Sequence, residues 1–299
     1  MALLIITTIL WAFSFSLIGE YLAGSVDSYF SVLMRVGLAA LVFLPFLRTR
    51  GQSPRTIVLY MLVGAMQLGI MYLLAFRAYL YLTVSEFLLF TVFTPLYITL
   101  IYDLLSGRKL RWGYLLSAAL AVLGAAIIRY DKVSDHFWTG LLLVQLSNLC
   151  FAIGMVGYKR LMEVRPMPQH NAFAWFYVGA FIVAVAAWFM LGNAQKLPTT
   201  TVQWSVLVWL GVVASGLGYF MWNYGATQVD AGTLGIMNNV HVPAGLLVNL
   251  AIWQEQPHWP SFLIGGAVIL ASLWVHRRWV APHSGQTADD RRRGSAQSE

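Results

Sequence analysis

Ionisable and amide side chains inside long apolar runs are the first sign of chemistry in this chain. Each is costly in hydrocarbon and persists there only with a partner, a wet cavity or a ligand. Arg35, Arg77 and Glu86 lie in such runs. Arg77 and Glu86 fall at similar depths on either side of a short turn around Leu82, so an ion pair across the hairpin is the simplest reading of both. The functional alternative is that Arg35 or Arg77 attracts a substrate carboxylate, or that Glu86 takes a coupling proton. A later run carries Asn238, Asn239, His241 and Asn249. His241 reads either as a neutral imidazole linking two helices or as a substrate contact or proton relay. Lys159 and Arg160 end another run, where snorkelling to the interface is the ordinary role and guarding an entrance the functional one for Lys159.

Two prolines add a backbone element. Pro95 and Pro243 each interrupt an apolar run, and a helical proline releases the carbonyl four residues earlier, here that of Thr91 or Asn239. At membrane depth such a carbonyl needs a neighbour, water or ligand, which favours hinges or cavity-lining breaks. Many of the 12 tryptophans fall where an interfacial belt belongs, but Trp11, Phe90, Phe93 and Trp222 lie deeper, and Tyr72, Tyr79 and Tyr219 add hydroxyls near the prolines. A cavity walled by these rings suits an amphipathic organic solute better than a bare ion. No Gly-x-Ser-x-Gly, His-Glu-x-x-His, Walker A or Cys/His metal spacing occurs. The chain therefore reads as no enzyme, with no cofactor and no metal.

The elements that position these residues follow from composition. With 59% hydrophobic and 10% charged residues, against about 25% charged in soluble domains, the chain is an all-α integral membrane protein. Its net charge of +7 lies in residues flanking apolar segments, which argues against nucleic acid as a partner. Cys150 is the single cysteine, so no disulfide framework exists. Segments of about 20 apolar residues cross a bilayer. Ten are expected, at 2–22, 28–47, 57–80, 84–104, 112–130, 138–160, 171–192, 202–225, 231–252 and 259–279. Small residues recur at Gly113, Ser117, Ala121 and Ala125, and again at Gly211 and Ser215, as packing stripes.

With the N-terminus inside, Arg48, Arg50, Arg55, Arg108, Lys109, Arg111, Lys159, Arg160, Arg165 and the tail arginines are all inside, leaving Arg129, Lys132 and Lys196 outside. Both termini are therefore expected in the cytoplasm. The stretch from Tyr72 to Trp112 recurs as Tyr219 to Trp259, matching Ala78 with Gly225 and Val84 with Ala231. Five crossings per copy make this an inverted repeat of five-helix halves, 1–132 and 133–280, followed by a disordered tail, 281–299.

Arg35 within Met34-Arg35-Val36, and the pattern Ala78, Val84, Pro95, Trp112, Gly124 replayed as Gly225, Ala231, Pro243, Glu255, Trp259, resemble the EamA-type members of the drug/metabolite transporter superfamily. The likeness covers the whole chain except the tail. One departure stands out: the fourth helix of family halves often ends in Gly-Glu, and the first copy here has Gly107-Arg108. The resemblance implies ten helices around a central cavity built largely from helices 3, 4, 8 and 9, in the bacterial inner membrane. The aromatic interior is similar to that of the YddG amino acid exporter group. The function so implied is secondary export of aromatic or large neutral amino acids by alternating access, in a protein able to act as a monomer. Other metabolites or hydrophobic cationic drugs are the alternative cargo, and a non-transporting membrane enzyme or assembly factor is the alternative class. The expected substrate contacts are Trp11, Tyr72, Tyr79, Arg77, Phe90, Tyr219, Trp222, Asn238, Asn239 and His241. Coupling or gating falls to Glu86, Pro95, Pro243 and Lys159.

Overall fold

A backbone in hydrocarbon must close its own hydrogen bonds. In the computed structural model every regular element among the described residues is helical. The structure describes residues 2–105, 116, 119–120, 122–124, 126–127, 135–229, 231–253 and 259–279. The helices are α1 (Ala2–Tyr21), α2 (Ser28–Phe43), α3 (Pro54–Ala78), α4 (Val84–Thr91), α5 (Thr94–Leu105), α6 (Asp135–Val164), α7 (Gln169–Leu191), α8 (Thr201–Thr227), α9 (Ala231–Val248) and α10 (Trp259–Trp279). Among the described residues seven apolar spans are long enough to cross a membrane, with α4 and α5 together counting as one. The chain is thus an all-α, multi-pass membrane protein. Most of the expected fifth segment, including Gly113, Ser117, Ala121 and Ala125, and the tail 281–299 lie outside the described residues.

Local sequence explains the helix ends. Asp27, Ser53, Thr83 and Thr200 each accept a hydrogen bond from a first-turn amide of the helix that follows. Thr83 and Glu86 form a reciprocal capping box at the start of α4, with Glu86 Oε2 accepting from the Thr83 amide at 2.9 Å. That geometry corrects the expected hairpin ion pair: Arg77 makes none with Glu86, and its guanidinium instead lies 5.8 Å from the Tyr29 ring centroid.

The described residues form two compact units, those within 1–94 with 134–255 and those within 95–133 with 256–299. The first unit packs by close backbone approach. A Cβ on Gly64 of α3 would meet the Phe176 carbonyl of α7, and one on Gly179 of α7 would meet that of Met61, so both positions need hydrogen. Gly211 brings α8 close to α2, where an added Cβ would sit 2.7 Å from Leu38 Cβ. Between these contacts Leu4, Val32, Val36, Phe173, Phe176 and Leu207 are fully buried. Leu62, Phe189 and Met190 are exposed, as lipid-facing positions should be. In the second unit a Cβ on Gly124 would sit 2.7 Å from the Gly265 carbonyl of α10.

Among the described residues the helical backbone is irregular at three places. α3 widens into a π-helical turn at Ala65–Ile70, α8 does so at Trp209–Leu217, and α9 is followed by another at Asn249–Trp253. Such turns leave carbonyls for other partners and gather at functional sites.

Candidate functional site

The π turn of α8 is where the site begins. Two of its carbonyls are taken by side chains from neighbouring helices: Trp11 Nε1 donates to Ala214 at 3.0 Å, and the Tyr177 hydroxyl donates to Ser215 at 2.6 Å. With its backbone so held, Ser215 presents Oγ to α2, where Arg35 Nε donates to it at 2.6 Å. The Tyr72 hydroxyl shares the same Oγ at 2.9 Å, and the Tyr72 ring lies 4.1 Å from the guanidinium carbon. A stacked ring and one hydroxyl hold the cation.

Arg35 is only 3% exposed and has no ion-pair partner among the described residues. Its terminal nitrogens make no hydrogen bond there either. The paired N–H groups of a guanidinium match a carboxylate, so this arrangement can receive an anion.

Arg35 opens on a cavity of about 80 Å³ lined also by Trp11, Ser14, Phe15, Tyr72, Phe76, Tyr79, Phe87, Thr91, Thr94, Ser147, Asn148, Phe151, Tyr219 and Asn238. Among the described residues no acidic side chain lines it. Rings dominate one part: Tyr219 packs 4.6 Å from Trp11 and edge-on to Tyr72 at 5.8 Å, while Tyr79 stacks on Phe87 at 4.3 Å. Tyr79 also borders a second cavity of about 300 Å³, with Glu20, Thr83 and Asn249.

The opposite part is the gap between α4 and α5. Chain continuity as a helix stops at Val92 and Phe93, and Pro95 falls in the first turn of α5, where its missing amide is not needed. The released carbonyls are satisfied by side chains. Asn148 and Gln145 of α6 donate to Phe90 at 2.9 and 3.3 Å, and Thr94 Oγ1 donates to Thr91 at 2.7 Å.

Five of the ten expected contacts line the cavity: Trp11, Tyr72, Tyr79, Tyr219 and Asn238. Phe90 and Trp222 are fully buried behind it, Trp222 packing 5.0 Å from Trp11 and Phe90 edge-on to Phe137. Arg77 does not line it. Side chains of Asn239 and His241 lie outside the described residues, although their backbone belongs to α9. Of the gating set, Glu86 caps α4, Pro243 is exposed within α9, and Lys159 Nζ donates to the Val229 carbonyl beyond α8 at 3.0 Å.

Several residues escaped sequence reasoning. Ser147 and Asn148 form a polar pair inside an apolar run, a visible signal. Ser215 was legible only as a small packing residue. Gln67 and Asn223, both fully buried, exchange amide hydrogen bonds at 3.0 and 3.1 Å between α3 and α8, a pairing no local pattern announces.

A bundle of apolar helices around a small cavity with a buried cation beside it has the architecture of a membrane transporter for small solutes. The EamA-like transporter family model matches residues 1–130 and 138–277, and the chain belongs to that family. A biotin transporter of Salmonella typhimurium is 83% identical over the full length of both chains, and that of Escherichia coli is 82% identical. A probable biotin transporter of Pseudomonas aeruginosa is 56% identical over 93% of this chain and 97% of its own. A crystal structure at 18% identity shares the fold, with a TM-score of 0.64 over 92% of this chain and 95% of the other.

Proposed function

We propose that this protein carries biotin across the bacterial inner membrane, with Arg35 holding the carboxylate of the substrate. The observation that carries this reading is the open guanidinium fork in the cavity, without an acid beside it among the described residues. Biotin is a fused ureido and thiolane ring on an acyl chain that ends in a carboxylate. One anionic end suits Arg35, and the apolar ring and chain suit Trp11, Tyr72, Phe151 and Tyr219.

Biotin replaces the expected amino acids in this reading. An amino acid brings an ammonium group as well as a carboxylate, and among the described residues no acidic side chain lines the cavity to receive it. The same absence counts against hydrophobic cations. Full-length relatives above 80% identity that bear the name biotin transporter support the cargo directly.

Ten crossings in two inverted halves, with both termini in the cytoplasm, belong to this proposal. The two stretches matched by the family model support the repeat, and the paired π turns of α3 and α8, just before Tyr72 and Tyr219, agree with it. Access then alternates as the halves rock, in a protein that works as a monomer.

Counterflow in proteoliposomes tests the cargo. Vesicles preloaded with unlabelled biotin should accumulate labelled biotin with no imposed gradient, and those preloaded with phenylalanine, leucine or lysine should not exchange the corresponding label. Exchange of an amino acid but not of biotin would reverse the assignment.

A further inference from the structure

The walls of the cavity differ in what they have left to offer a ligand. Among the described residues, each serine or threonine hydroxyl that lines it already spends its proton on a backbone carbonyl. Ser14 donates to Leu10 at 3.1 Å, Thr91 to Leu88 and Thr94 to Thr91 at 2.7 Å, and Ser147 to Met71 at 3.1 Å. A hydroxyl with its proton committed has only lone pairs to give. Asn148 is committed in the same sense. Its Nδ2 donates to the Phe90 carbonyl, which can only accept, so the amide is fixed and Oδ1 is left without a partner among the described residues. The wall at the gap between α4 and α5 is therefore made of acceptors.

Asn238 is the opposite case. It is 1% exposed, lines the same cavity, and its Nδ2 has no hydrogen-bond partner among the described residues. A buried donor left unpaired is costly, and a ligand acceptor would relieve that cost.

We infer that Asn238 and this acceptor wall read a planar ring group that presents two N–H donors beside one carbonyl. The inference rests on the biotin reading and deepens it, because the ureido ring has that pattern at the end of the molecule away from the carboxylate. Asn148 Oδ1 and the Thr91 and Thr94 hydroxyl oxygens accept from the ring N–H groups, and Asn238 Nδ2 donates to the ureido oxygen. Asn238 is thus a specificity-determining residue. Sites built around buried hydrogen-bonding groups reject analogues that leave those groups unpaired. Placing a donor against a donor strengthens the rejection.

Equilibrium binding to the purified full-length protein tests this with four ligands: biotin, 2-iminobiotin, biotin methylated on a ureido nitrogen, and biotin methyl ester. In 2-iminobiotin a protonated imino donor replaces the ureido oxygen. The unaltered protein should bind 2-iminobiotin and the N-methyl analogue at least about tenfold more weakly than biotin. Asn238→Asp exchanges the donor for an acceptor and should reverse the order, favouring 2-iminobiotin. Equal binding of biotin and both ring analogues by the unaltered protein would overturn the inference, as would an Asn238→Asp protein that folds and weakens all ligands alike. Should the variant fail to fold, the analogue series on the unaltered protein decides alone. The methyl ester separates the two readings: if it binds as well as biotin while the ring analogues are still rejected, the Arg35 assignment falls and this one stands. If biotin does not bind at all, both fall.

Discussion

Pro95 and Pro243 sit at matched places in the repeated sequence, yet the chain treats them differently. At Pro95 the helix has parted, with α4 ending at Thr91 and α5 starting at Thr94. At Pro243, α9 runs on from Ala231 to Val248 with the proline inside it and exposed. The first site has what a break requires: Asn148 and Gln145 take the carbonyl of Phe90, Thr94 takes that of Thr91, and Thr91 that of Leu88. A proline supplies the opportunity to open a helix in a membrane, and neighbouring donors decide whether the opening persists. The parted site lines the cavity through Thr91 and Thr94, whereas Pro243 does not line it.

Substitutions at the two prolines should therefore differ in sign. A proline inside a helix costs about 3 kcal/mol, so Pro243→Ala should stabilise the protein by up to about that amount in thermal unfolding. No gain there would mean that packing, and not the proline, shapes α9. Replacing the donor at the break comes next in size. Asn148→Leu leaves the Phe90 carbonyl short of its nearer partner and should cost about 1–3 kcal/mol, together with loss of biotin binding. A variant as stable as the parent would show that the break does not depend on α6. The smallest effect belongs to Pro95→Ala. Pro95 occupies a first-turn position suited to its fixed φ, so removing it should destabilise by about 0.4–1 kcal/mol, through the unfolded chain. A gain instead would place both prolines in one class.

The same contrast explains how much could be read from sequence. Positions of the described helices were legible because apolar runs of that length have few other folds, and the proline within Thr94-Pro95 announced irregular backbone. Which face a polar residue presents was not legible, since depth along a run says nothing of rotation about it. Arg77 and Arg35 are both arginines in apolar helices; one rests against Tyr29, the other opens on the cavity beside Ser215. Ser215 looked like a packing residue because its role depends on a π turn that turns Oγ toward α2. Glu86 looked like a partner for Arg77 because both flank one turn, but a threonine three residues before a glutamate at a helix start favours the capping box.

Arg35 is proposed to read the substrate charge, and titration calorimetry of biotin and its methyl ester against the purified parent protein, Arg35→Lys and Arg35→Leu tests that most directly. The parent should prefer biotin over the ester by at least about tenfold, and Arg35→Lys should keep part of that preference. Folded Arg35→Leu protein should bind the two ligands alike and weakly. An Arg35→Leu protein that still prefers the free carboxylate would contradict the assignment and move the anion site elsewhere.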